Sequence, residues 1–103
     1  MLASALLLAA GAAGAQEAEA QLVILNNKFE PAEITVPAGR KVKLVIENQD
    51  ATAEEFESYE LKREKIVPLK GKITVLLGPL KPGRYPFFGD FHKATAQGVL
   101  IAK

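Results

Sequence analysis

The stretch Tyr85-Pro-Phe-Phe-Gly-Asp-Phe-His-Lys-Ala-Thr-Ala-Gln-Gly98 decides how this chain is read. It contains the only histidine of the 103 residues, His92, two positions after Asp90. An imidazole beside carboxylates is a borderline-to-hard ligand set for Cu(II), Fe, Mn(II) or Zn(II), although a lone His in a polar loop is usually just solvated. The chain has no cysteine, and its single methionine is Met1. That removes thiolate and thioether ligands, and with them thiol catalysis, iron–sulfur clusters and thiolate zinc sites. Phe87, Phe88 and Phe91 read as core or rim packing.

Outward from this loop the chain is a series of short strands broken by turn residues. Lys81-Pro82-Gly83-Arg84 suits a type II turn with positive φ at Gly83. Residues 83–88 and 98–102 read as the last two strands. Val42, Leu44 and Ile46 alternate with Lys41, Lys43 and Glu47, the period of two of a half-buried strand. Ile73, Val75 and Leu77 repeat the pattern. Leu22-Val-Ile-Leu25 and Ile34-Thr-Val36 are further β-prone runs, the second ending at the turn signal Pro37-Ala-Gly39. Residues 52–65 carry two readings. Thr52-Ala-Glu-Glu55 fits a helical capping box. Phe56, Tyr59 and Leu61 make no clean helical stripe, so two short strands are favoured, with 56–61 as an edge-type strand.

Residues 1–15, almost wholly Leu, Ala and Gly, read as a signal-peptide apolar core with a small-residue cleavage site at Ala13-Gly14-Ala15. The run is shorter than the roughly 20 residues of a membrane span, and it lacks the usual basic start. Residues 16–20 are expected to be a flexible start and 21–103 the folded domain, exported to the periplasm. Lys plus Arg number 13 and Asp plus Glu 12, a balance that gives no electrostatic case for nucleic acid as a partner. With no disulfide available, sheet packing must supply the stability.

Taken together, Lys28-Phe-Glu-Pro-Ala-Glu-Ile-Thr-Val-Pro-Ala-Gly39, Asn48-Gln-Asp50, Glu55-Phe-Glu-Ser58, Leu80-Lys-Pro-Gly-Arg-Tyr85 and the final loop resemble the EfeO-type cupredoxin-like domain of bacterial periplasmic iron-uptake systems. The resemblance implies an all-β Greek-key sandwich of about seven to eight strands with a metal site at one end. In blue-copper members of the wider family a Cys is followed three residues later by His, and five further on by an axial Met or Gln. His92 and Gln97 keep that spacing, and the Cys position is Gly89. The first ligand, usually His, falls at Glu54 or Glu55. The iron-uptake domains carry Cys near Phe29 and Gly89, and neither is present here.

On this frame the candidate metal ligands are His92, Glu55, Glu57, Asp90 and Glu54, with Gln97 a candidate axial donor. Strand alternation lets Glu55 and Glu57 share a side, with Glu54 on the other. The plainer reading of the acids between Glu47 and Glu64 is a solvated sheet edge, partly neutralised by Lys62, Arg63 and Lys65. The expected function is a periplasmic metal-binding protein supporting iron or copper uptake, with Cu(II) or an Fe ion as cofactor. Its expected partner is a membrane iron permease or another uptake component, and a bridged homodimer is a further expectation. A blue-copper carrier is excluded, since that centre needs the thiolate. A metal-free interaction module is the alternative. No enzyme is expected, because no nucleophile–base–orienter set appears; metal-dependent ferrous or cuprous oxidation is the one catalytic role kept.

Overall fold

The computed structural model describes residues 17–103; the signal segment expected at 1–15 lies outside the described residues. Nine strands follow in order: β1 (Ala18–Leu25), β2 (Lys28–Glu30), β3 (Glu33–Val36), β4 (Val42–Asn48), β5 (Glu54–Ser58), β6 (Arg63–Val67), β7 (Lys72–Leu77), β8 (Gly83–Gly89) and β9 (Gln97–Ala102). A single 3-10 turn, Asp90–His92, lies between the last two. The strands form two sheets, β2-β1-β4-β7 and β3-β9-β8-β5-β6. Both are mixed, since β1 runs parallel to β4 and β3 parallel to β9. This is an all-β sandwich, as the period-two patterning implied.

The apolar face of each strand meets the other sheet. Leu22, Ile24, Leu44, Ile46 and Val75 come from the first sheet, and Val36, Phe56, Val67, Phe87 and Leu100 from the second. Each such side chain contributes roughly 1.5–3 kcal/mol by leaving water. Phe29 sits edge-on to Phe87 with centroids 5.0 Å apart, and Phe56 lies 5.3 Å from Phe87. This aromatic trio packs under the end of the sandwich that carries the 3-10 turn. Tyr85 packs against the core and its hydroxyl donates to the Lys81 carbonyl at 2.7 Å, a structural role.

Four local expectations change. The first strand begins at Ala18, inside the segment expected to be flexible, because Ala18–Ala20 pair in register with Val42–Leu44. Gly83 opens β8 opposite Ala102 and lacks a positive φ; the glycine that uses one is Gly39, at 76° in the turn after Pro37. Strand β5 is central, flanked by β6 and β8, and β6 takes the edge. The chain also makes a hairpin that strand patterning alone did not give. Asn26 and Asn27, with φ of 55° and 58°, join β1 to β2, and both their N–H groups donate to the Asp50 carboxylate at 2.8 and 2.9 Å. Asn tolerates the left-handed region that a tight hairpin requires.

The cations of β6 act on backbone rather than on the acids. The Arg63 guanidinium donates to the Leu76 carbonyl at 3.0 Å, and Lys65 Nζ donates to the Thr74 carbonyl at 3.0 Å. These bonds clasp the edge of one sheet to the edge of the other.

Candidate metal centre

Strand β5 supplies most of the candidate ligands, and its alternation divides them. Glu54, Phe56 and Ser58 point into the sandwich and are buried; Glu55 and Glu57 are half-buried on the outer face. Pairing of Phe56 with Gly89 and of Glu57 with Phe88 brings β8, and the 3-10 turn after it, alongside. Residues 54–57 therefore do lie beside the final loop.

On the inner side Glu54 is 1% exposed and its carboxylate is fully bonded. Oε1 accepts the N–H groups of Glu55 at 3.0 Å and Phe91 at 2.9 Å. Oε2 lies 2.7 Å from His92 Nδ1, which donates when the proton sits on that nitrogen. Gly89 is where this arrangement is tightest. A Cβ there would lie 2.5 Å from Glu54 Cδ, 2.6 Å from its Oε2 and 2.8 Å from the Ala96 Cβ. The carboxyl fills the space that any side chain at residue 89 would occupy.

On the outer side Glu55, Glu57 and Glu64 each bring a carboxylate oxygen within 4.8 Å of the others, the one such group among the described residues. Glu57 and Glu64 are direct cross-strand partners, a like-charge pairing that costs stability. Partial desolvation pushes the Glu55 and Glu57 carboxyls up from their ordinary range, and the negative charges of Glu64 and Asp90 push them further. Asp90 also pairs with Lys93 at 3.2 Å and holds that ammonium charged.

The sequence-derived set therefore falls into two groups: Glu54 with His92 inside, and Glu55 and Glu57 with Asp90 outside. Gln97 is exposed, and its side-chain amide donates to the Lys93 carbonyl at 2.9 Å. Ala96, not Gln97, is the residue that faces Gly89. Glu64 joins the outer group through its register opposite Glu57, which the sequence alone did not signal. The Ser58 hydroxyl donates to the Pro86 carbonyl at 2.7 Å, a structural use. Phe91 is half exposed beside His92, and Phe88 packs on Tyr59 with ring centroids 5.4 Å apart.

Two antiparallel-rich sheets, an aromatic floor and a His-bearing loop at one end make a β-sandwich of the cupredoxin-like type. The solved structure of auracyanin A, a "blue" copper protein of Chloroflexus aurantiacus, is similar at a TM-score of 0.73 and 13% identity, covering 85% of this chain and 100% of that one. The metal-binding domain of the Cu(I)-exporting P-type ATPase CopA of Streptococcus pneumoniae D39 is similar at 0.72 and 14% identity, covering 82% and 84%. An uncharacterized protein of Rickettsia prowazekii (strain Madrid E), RP394, is 51% identical over 83 residues, which are 81% of this chain and 66% of that protein. The family model for the cupredoxin-like domain matches residues 1–102, and the chain belongs to that family.

The family's copper chemistry does not fit the residues present. The chain has no cysteine and the described residues no sulfur ligand, and the place of one is taken by the Glu54 carboxyl. His92 Nδ1 is bonded to that same carboxyl.

Proposed function

We propose that this chain is an exported, periplasmic domain of the EfeO type that binds a metal ion in support of iron or copper uptake. Its partner in that role is a membrane iron permease or another uptake component. The observation that supports this reading is the group Glu55, Glu57 and Glu64 on the outer face, with Asp90 nearby and no sulfur donor. Clustered carboxylates repel, and a cation among them relieves that repulsion. Hard oxygen ligands suit Fe(III), Fe(II) or Cu(II) and disfavour Cu(I). The role in this reading is binding and transfer, with metal-dependent ferrous or cuprous oxidation the one catalytic role kept beside it.

The test is a titration of the metal-free protein with Cu(II), and with Fe(III) held soluble by a weak chelator, followed by melting temperature and paramagnetic resonance. A ligand that binds only the folded state raises the melting temperature. We expect a stoichiometric rise that disappears in Glu55→Gln/Glu57→Gln. No rise with either metal would overturn the reading. It would favour the second one, a metal-free interaction module, which the hydrogen bond between Glu54 and His92 Nδ1 supports.

A further inference from the structure

The inner pocket carries an inference that stands whether or not metal binds outside. We infer that Glu54 and Gly89 form a single exchange: the carboxyl of Glu54 has taken the room of a residue-89 side chain and closes from within the pocket where the family's copper proteins hold their metal. The residues at these two positions fit each other, since the inward Glu54 carboxyl leaves no room for a Cβ at residue 89.

The geometry is restrictive. A Cβ at residue 89 would come within 2.6 Å of a buried carboxylate oxygen, closer than real Cβ contacts allow. The backbone has little freedom to withdraw, because the Gly89 N–H donates to the Ala96 carbonyl at 2.8 Å and Gly89 is in register with Phe56. Glu54 has little freedom either. Turning it outward would leave the N–H groups of Glu55 and Phe91, and His92 Nδ1, without their acceptor. An unmet buried donor costs more than its bond is worth. Conversely, with a bulkier residue 89 the carboxyl would have nowhere to go, so glycine is demanded by the Glu54 carboxyl, with a second contact at the Ala96 methyl, and not by a turn. Among the described residues no buried side-chain polar atom lacks a partner, and the imidazole nitrogen turned to the pocket, His92 Nδ1, is already bonded to Glu54.

The consequence is a rule for reversal. Supplying the thiol by Gly89→Cys alone does not rebuild a copper centre, because Glu54 occupies the site and holds the imidazole. Supplying it together with Glu54→His vacates the carboxyl, frees His92 Nδ1 and offers two imidazoles and a thiolate, the trigonal donor set of a blue-copper site.

The experiment adds Cu(II) to the full chain bearing Gly89→Cys alone and to the chain bearing both changes, and records the Cu(II)–thiolate charge-transfer absorption. We expect the intense band in the double variant only. Equal bands in both, or a folded double variant with none, would overturn the inference. Should the thiol variants fail to fold, a stability cycle decides. Gly89→Ala is expected to lower the melting temperature by on the order of 10 °C in the native background. In Glu54→Ala the same change should be markedly milder, with a residue of cost left by the Ala96 contact. In Glu54→Gln, which keeps the volume, it should remain severe. The same loss in all three backgrounds would overturn the exchange.

Discussion

The two faces of strand β5 carry the same side-chain type to opposite ends of a range. Glu54 faces inward, is almost wholly covered, and has each oxygen occupied by donors. Glu55 and Glu57 face outward, are half covered, and lie among other acids. One position along a strand thus separates a carboxylate that fastens the fold from carboxylates that strain it. The lesson is that acid density in a sequence says little about site chemistry until the face is known. A buried carboxylate is valuable when donors converge on it, and exposed ones become a site only if a cation arrives.

The sharpest way to break this comparison is Glu54→Ala. It leaves the N–H groups of Glu55 and Phe91 and His92 Nδ1 without their acceptor, so a loss of roughly 2–4 kcal/mol is expected, read by urea unfolding. A loss no larger than that of an outer-face change would erase the distinction. Next comes His92→Ala. Two N–H donors remain on Glu54, so a loss of roughly 1.5–3 kcal/mol is expected, while metal binding at the outer group is retained. Disappearance of metal binding in that variant would move the site inward.

The smallest effect belongs to the outer face and shows in pH dependence. Folding raises the Glu55 and Glu57 carboxyls above the ordinary 4.5, so the folded state holds protons more readily there than the unfolded chain does. These two groups therefore favour the fold below 4.5, and that contribution is lost as pH rises through their raised folded values. Melting curves across this interval should flatten in Glu55→Gln/Glu57→Gln, and that variant should melt slightly higher than the native chain at neutral pH. A lower melting temperature at neutral pH would show that the outer acids support the sheet.

Much of the architecture was legible because it rests on local rules. Alternation along residues 42–47 and 72–77 gave two strands and their inward faces, and Pro37-Ala-Gly39 gave a turn. The likeness of the final loop placed His92 beside β5. What sequence could not give was the result of pairing between distant residues. Glu54 and His92 are 38 positions apart, and although alternation sets Glu54 on the side of Phe56, nothing local says that His92 meets it there. Ala18–Ala20 are small or polar enough to look unstructured, and only the partner strand β4 recruits them. Pro82-Gly83 carries a turn signal that β9 overrides by pairing with Gly83.

The clasp between Arg63, Lys65 and the carbonyls of Thr74 and Leu76 has a meaning beyond the single molecule. Unfilled carbonyls along an outer strand are a template on which another chain can add itself, and repetition of that step builds fibrils. Here β6 spends two cations on silencing the template along β7. A copy of this chain, or an unfolded neighbour crowded against it, finds that border already answered, and self-assembly has to begin somewhere else.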